Sequence, residues 1–159
     1  MSRFAEQTTV SSEASRAEIE RILRRYGAGK FMSGWDDDHA YIAFEMHARR
    51  IRFILPLPDP ESSEFKLTPG GKRERDRAGQ MKAWEQGCRS RWRALALVIK
   101  AKLEAVESGI TCFEDEFLAH IVLPDNTTVG DNVRPRIVEA YQSGKMLPLL
   151  PAPKGKTHG

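Results

Sequence analysis

The chain has 159 residues, a mass of 18.0 kDa and a formal net charge of +3 at pH 7. Hydrophobic residues make up 40% of it and charged residues 30%, which is typical of a globular domain rather than of a disordered or collagen-like chain. The longest apolar run has six residues, against about 20 for a membrane-spanning helix, so no membrane partner is predicted. Two cysteines and an N-terminus without an apolar signal segment favour a cytoplasmic location.

Residues 1–14 are polar and predict an N-terminal arm without regular structure. Ser15 and Glu18 then have the spacing of a capping box, in which each side chain binds the backbone of the other residue. Apolar residues follow at helical spacing, namely Ile19, Ile22, Leu23 and Tyr26. The pattern predicts a first helix over residues 15–26 that ends at Gly27.

A change of period from 3.6 to two predicts three antiparallel strands at residues 30–35, 40–47 and 51–55. A polar turn at residues 36–39 separates the first two strands, and a tight turn near Ala48 separates the last two. Pro56 and the prolines after it end the third strand, because proline cannot donate to a strand ladder. The polar residues 59–78 are predicted to form a mobile loop.

From about residue 78 to residue 108 the helical period returns and produces two apolar stripes. The first stripe contains Trp84, Cys88, Trp92, Leu95, Ile99, Leu103 and Val106. The second lies about 120° around the helix and contains Ala94, Leu97, Val98, Ala101 and Ala105. Two apolar faces predict a central helix that packs the sheet on one side and the C-terminal helices on the other. Leu95, Ile99 and Leu103 are predicted to be buried against the sheet.

Thr111 and Glu114 have the spacing of a second capping box, which predicts a short helix there. A last helix is expected from about Val133 to Ser143, with Gly144 at its end. Residues 147–159 contain three prolines and predict a flexible tail. The predicted fold is therefore α+β, in the order α-β-β-β-α-α-α, with a three-stranded antiparallel sheet on a long central helix. One domain is expected over residues 15–146.

No motif for a known chemistry is found. Three consecutive aspartates, residues 36–38, can bind Mg²⁺ in principle, but consecutive residues in a turn point in different directions, so a solvated turn is favoured. Cys88, Cys112 and His120 match no zinc spacing, and Gly71-Lys72 lacks the frame of a phosphate loop. The sequence predicts no catalytic residue, metal or cofactor, and a protein that is not an enzyme.

The charge distribution points instead to a binding surface. The segment from Lys72 to Lys102 has a net charge of +7, so the other residues sum to −4. Lys82, Arg89, Arg93 and Lys100 fall within about 40° of one another on the central helix, and we call these four residues the ridge. Lys72, Arg73 and Arg77 are predicted to extend it. Such a row can follow phosphates without reading bases, or can face an acidic protein or only water.

Three segments of the chain resemble a known group of proteins, in a similarity that covers most of residues 8–150. The stretch RWRALALVIKAKLEAVESGITCFEDEFLAHIVLPDNTTVGDNVRPRIVEAYQSGKMLPLLP, together with SRAEIERILRRYGA and IRFILPLP, resembles a family of small proteins encoded by bacteriophages and prophages. The family has no assigned activity, so the resemblance implies a setting, the cytoplasm of an infected bacterium, and no site residues. The α-β-β-β-α order also resembles double-stranded RNA-binding domains and the core of some single-strand annealing proteins, an analogy at the level of the fold.

We therefore expect a non-enzymatic, phage-type accessory protein that binds nucleic acid through the ridge, in DNA replication or recombination. The alternative is an interaction module that binds a host or phage protein, for example as an inhibitor of a host system. The two hypotheses differ in the salt dependence of nucleic-acid binding, because phosphate contacts weaken steeply as salt rises.

Overall fold

The computed structural model describes the backbone of residues 3–151 and the side chains of residues 12–151. The elements in chain order are α1 (Arg3–Arg25), β1 (Gly29–Trp35), β2 (His39–Met46), β3 (Arg49–Pro56), α2 (Ser63–Lys66), α3 (Arg77–Glu107), α4 (Phe113–Phe117), a 3₁₀ turn (Leu118–His120) and α5 (Val129–Ser143). This confirms the predicted α+β fold and its order, with the short helix α2 as an addition.

Helix α1 begins at Arg3 rather than near Ser15, so the prediction of an irregular arm is wrong for residues 3–14. Ser12 is 1% exposed and lies seven residues before Ile19, on the buried stripe that continues to Leu23. The small Ser12 side chain thus extends the packed face of the helix towards the N-terminus. Ser15 lies inside the helix, so the predicted capping box is also wrong. Residues 1 and 2 lie outside the described residues.

The three strands form an antiparallel sheet in the order β1-β2-β3. On its buried face, Ile42 of β2 pairs with Phe53 of β3, and Phe44 pairs with Ile51. The turn between β2 and β3 consists of His47 and Ala48, whose φ angles of 50° and 59° are those of a type I′ hairpin. The alternating sequence therefore produces one covered face, as expected for a half-buried antiparallel sheet.

Helices α1 and α3 pack side by side against the covered face of the sheet. Ile19 and Leu23 of α1 share one core with Trp92, Ile99 and Leu103 of α3. The predicted burial of the first apolar stripe is confirmed, because Leu95, Ile99 and Leu103 are all buried.

Within the part of the chain that the structure describes, most of the second apolar stripe of α3 is not covered, so the prediction that C-terminal helices pack on it is wrong. Leu97 is 65% exposed and Val98 is 45% exposed, and both Ala94 and Ala101 are exposed. The C-terminal part packs elsewhere because its backbone continues the sheet beyond β3, where Ile121 bridges to Ile51.

The segment of residues 59–78 is also more regular than the predicted mobile loop. It contains α2 and a bridge between Leu67 and Glu74. Phe65 is 3% exposed and packs with Trp84 and Cys88 in a second small core. The Trp84 indole N–H donates a hydrogen bond of 2.7 Å to the Pro58 carbonyl. One apolar side chain in a polar segment thus holds this stretch on α3.

Helix α5 begins at Val129, four residues before the predicted start, because Thr128 and Asp131 form a capping box. The predicted box at Thr111–Glu114 is not formed; Cys112 occupies the N-cap position of α4 without a side-chain hydrogen bond. Gly144 ends α5 with a φ of 69°, as predicted. Of the predicted tail, residues 152–159 lie outside the described residues.

Candidate nucleic-acid interface

The ridge is one row of side chains on α3. Lys82, Arg93 and Lys100 are exposed, and Arg89 is half-buried with its guanidinium donating to Gln86 Oε1 at 2.7 Å and 3.2 Å. The row is about 27 Å long, since a helix rises about 1.5 Å per residue. Among the described residues, no carboxylate lies within ion-pair distance of these four cations. Their charge is therefore available to a ligand.

Helix α1 contributes two further cations that sequence reasoning missed. Arg21 and Arg25 lie beside Lys100, where they line a concavity of about 350 Å³ together with Glu18 and Ile22. Arg25 and Lys100 are 75 positions apart in the sequence, so helical periodicity within one segment gives no indication of their proximity. The available indication is that Arg21 and Arg25 point away from the apolar stripe of Ile19 and Leu23.

The concavity is electropositive. It contains three cations and one carboxylate, Glu18, which makes no ion pair with them in the described part of the chain. The neighbouring Arg24 differs, because its guanidinium is paired with Glu20 at 2.8 Å. We call the ridge together with Arg21 and Arg25 the extended ridge.

The structure does not bring Lys72, Arg73 and Arg77 into the ridge. Arg77 is the first residue of α3 and lies about 140° around the helix from Lys82. Its guanidinium pairs with Glu61 at 3.0 Å, and this contact, with Lys66 as the second partner, lowers the pKa of Glu61.

Lys72 and Arg73 belong to the segment that α2 anchors on the same distant side of α3. Phe65 of α2 packs over Gly87, where an added Cβ would lie 3.0 Å from the ring. Gly87, like Arg77, lies about 140° around α3 from Lys82. The ridge is therefore extended by Arg21 and Arg25 of α1, and the predicted extension by Lys72, Arg73 and Arg77 is wrong.

The turn with three aspartates is built as a hydrogen-bonded turn. Asp36 Oδ1 accepts the backbone N–H groups of Asp38 at 2.9 Å and His39 at 2.7 Å, and these two hydrogen bonds lower the pKa of Asp36. Within residues 12–151, no group of three or more His, Cys, Asp or Glu side chains could hold a metal ion. This turn is exposed, so it presents negative charge at one end of the sheet.

A cavity with a volume of about 610 Å³ lies between α4, the 3₁₀ turn, α5 and the C-terminal segment. Its lining is mainly apolar and includes Leu149 and Leu150. Lys102 Nζ donates to Glu116 Oε1 at 3.1 Å, so this pair is internally neutralised. Burial, assisted by the charges of Lys102 and Arg134, lowers the pKa of His120, which is therefore neutral at pH 7.

The lining of this cavity suits the binding of an apolar group better than it suits covalent catalysis. Its described lining offers no hydroxyl or thiol group that could act as a nucleophile. The His120 ring stacks on Phe53 with ring centroids 4.0 Å apart, which uses the imidazole for packing.

Comparison of the chain with protein-family models, with curated proteins and with solved structures gives no match. No helix within residues 3–151 is long and apolar enough to cross a membrane.

Proposed function

We propose that the protein binds nucleic acid through the extended ridge. One observation supports this proposal above the others: six cations lie on neighbouring faces of α1 and α3, five of them exposed and Arg89 half-buried, and none has a carboxylate partner within the described residues. Unpaired cations on a folded surface cost self-repulsion, which a polyanion relieves.

The length of the row fits a phosphate backbone. A row of about 27 Å covers the axial length of about eight base pairs, because duplex phosphates are about 3.4 Å apart along the axis, and the phosphates that face one side within this length are within its reach. Lysine and arginine contacts of this kind fix the position of a duplex without reading its sequence. Binding is therefore expected to depend strongly on salt and weakly on base sequence.

The surroundings of the row favour a duplex over a single strand. Single-strand binders stack bases on exposed aromatic rings, whereas Trp84 and Trp92 of α3 are buried. The aspartate turn repels phosphates from one end of the sheet, so a duplex is expected to approach from the side of α1 and α3. In the setting that the phage resemblance implies, the protein is an accessory factor of DNA replication or recombination.

The test is the binding of a labelled 30-base-pair duplex DNA, a duplex RNA of equal length and a single strand, measured by fluorescence anisotropy over a salt series. The informative variant is Arg21→Ala/Arg25→Ala/Lys100→Ala. If each cation contacts one phosphate, the slope of log K against log salt becomes shallower by about 2–3, because each contact contributes about 0.9.

A matched control removes three cations that already have carboxylate partners, in the variant Lys30→Ala/Arg49→Ala/Lys66→Ala. Both variants change the net charge by the same amount, so only a localised site distinguishes them. Equal slopes for the two variants, or no binding by the wild type at low salt, would refute the proposal.

The second candidate function is the binding of a host or phage protein. It is favoured by the exposed apolar side chains of α5, where Val138 is 51% exposed and Tyr141 is 88% exposed. If the nucleic-acid experiment is negative, the variant Val138→Asp/Tyr141→Asp should lose a partner that the wild-type protein captures from host lysate.

A further inference from the structure

We infer that the exposed face of α3 binds the same face of a second copy of this chain, with the two helices antiparallel. This inference does not rest on nucleic-acid binding, but Arg89 and Arg93 belong to both surfaces, so a copy held in this dimer cannot use these two arginines for phosphate contacts. It concerns the uncovered second stripe, whose exposed members are Ala94, Leu97, Val98 and Ala101, here called the outer strip.

The outer strip has the composition of a helix contact. Leu97 and Val98 supply apolar area that is exposed to water in the described structure. Ala94 and Ala101 are small, so a second helix can approach to about 8 Å, the lower end of normal helix packing.

Charges at the two ends of the outer strip indicate which partner binds it. Arg89 and Arg93 precede the strip, while Glu104 and Glu107 follow it. All four lie within about 60° of one another on α3, along one edge of the strip. Reversing the helix therefore places the basic end opposite the acidic end, which is the self-complementarity that a two-fold interface requires.

The register follows from the residue numbers. If the two-fold axis passes between Val98 and Ile99, Arg93 lies level with Glu104 of the second copy, and Arg89 lies within one residue of Glu107 of the second copy. Symmetry repeats both pairs. Leu97 then packs beside Ala101 of the second copy.

Two other arrangements are disfavoured by the same charges. A parallel two-fold pair places the charged edges of the two helices on opposite sides of the interface, so neither Arg93 nor Glu104 meets an opposite charge of this edge. An acidic partner helix that lies along the whole strip meets Glu104 and Glu107 at its end. Only the antiparallel second copy pairs both ends of the strip with opposite charge.

The contact area sets the expected strength. The face from Arg89 to Glu107 is about 27 Å long and about 10 Å wide, which is smaller than the roughly 800 Å² per partner of a standard complex. We therefore expect weak self-association that requires measurement from about 10 μM to about 500 μM, by sedimentation equilibrium at low salt and without nucleic acid.

A charge swap tests the register. Arg93→Glu and Glu104→Arg should each weaken the dimer, because each creates two like-charge contacts in it. The combined variant Arg93→Glu/Glu104→Arg should dimerise like the wild type, and an equimolar mixture of the two single variants should form heterodimers. All these residues are exposed, so the urea midpoints of the variants should match that of the wild type.

Three results would overturn the inference: a wild-type protein that stays monomeric at about 500 μM, single variants that dimerise like the wild type, or a double variant that does not recover. The nucleic-acid experiment uses Arg21, Arg25 and Lys100, none of which forms an ion pair in this dimer. A negative result in one experiment is therefore distinguishable from a negative result in the other.

Discussion

Ile99 and Leu97 lie two residues apart on α3, and their truncation tests which face of this helix is packed. Ile99 is 0% exposed in the core between α1 and the sheet, whereas Leu97 is 65% exposed. Ile99→Ala removes three buried carbon atoms, which costs about 2.5 kcal/mol in lost transfer free energy at about 0.8 kcal/mol per carbon. The unfilled cavity adds about 1–2 kcal/mol, for a total of about 3.5–4.5 kcal/mol.

Leu97→Ala removes the same number of carbon atoms from a mostly exposed side chain. Its expected cost is below about 1 kcal/mol, since alanine also has the higher helix propensity. The assay is urea unfolding at about 2 μM protein, where the weak dimer expected from α3 does not contribute. Equal losses for the two variants, or a larger loss for Leu97→Ala, would show that the packed and exposed faces of α3 are assigned incorrectly.

Two further predictions concern His120 and Phe65. Burial and neighbouring cations lower the pKa of His120 below the value of about 6.5 in the unfolded chain, so its contribution to stability is present above pH 6.5 and is lost as the pH falls through the folded value. Comparison of the urea midpoints at about pH 7.5 and about pH 5 should show a larger loss for the wild type than for His120→Gln, and equal losses would contradict this origin. Phe65→Ala should speed tryptic cleavage after Lys72 and Arg73, because Phe65 is the buried anchor of this segment. A wild-type protein cut there as fast as the variant would show that the segment is already open.

Sequence periodicity was sufficient to predict the buried side chains of elements that pack on their neighbours in the sequence. The alternating residues of β2 and β3 predict which side chains face the core, because the two strands are joined by a tight turn and the period of two fixes the register. The stripe of Ile99 and Leu103 is equally informative, since large aliphatic residues at helical spacing are buried in most soluble proteins.

Periodicity was insufficient where packing overrides local preference. The segment QTTVSS in residues 7–12 has low helix propensity, yet it belongs to α1, whose buried face continues to Ser12. The outer strip illustrates the opposite case: an apolar stripe looks the same in the sequence whether a neighbour covers it or not. The region around Lys100 was only half predicted, because Arg21 and Arg25 reach it through tertiary packing.

The strand order of the sheet has a consequence for how the chain emerges from the ribosome. All three strands pair with sequence neighbours, so the hairpins can form as soon as Pro56 has been made. The next helix that covers them, α3, ends 51 residues later at Glu107. At about 5–20 residues per second, this delay lasts about 3–10 s, during which Ile42, Phe44 and Phe53 have only α1 to shield them. The nascent protein is thus most prone to aggregation or chaperone capture in this interval, and the cover is completed only when α4 supplies Phe117, which packs on Phe44 and Phe53.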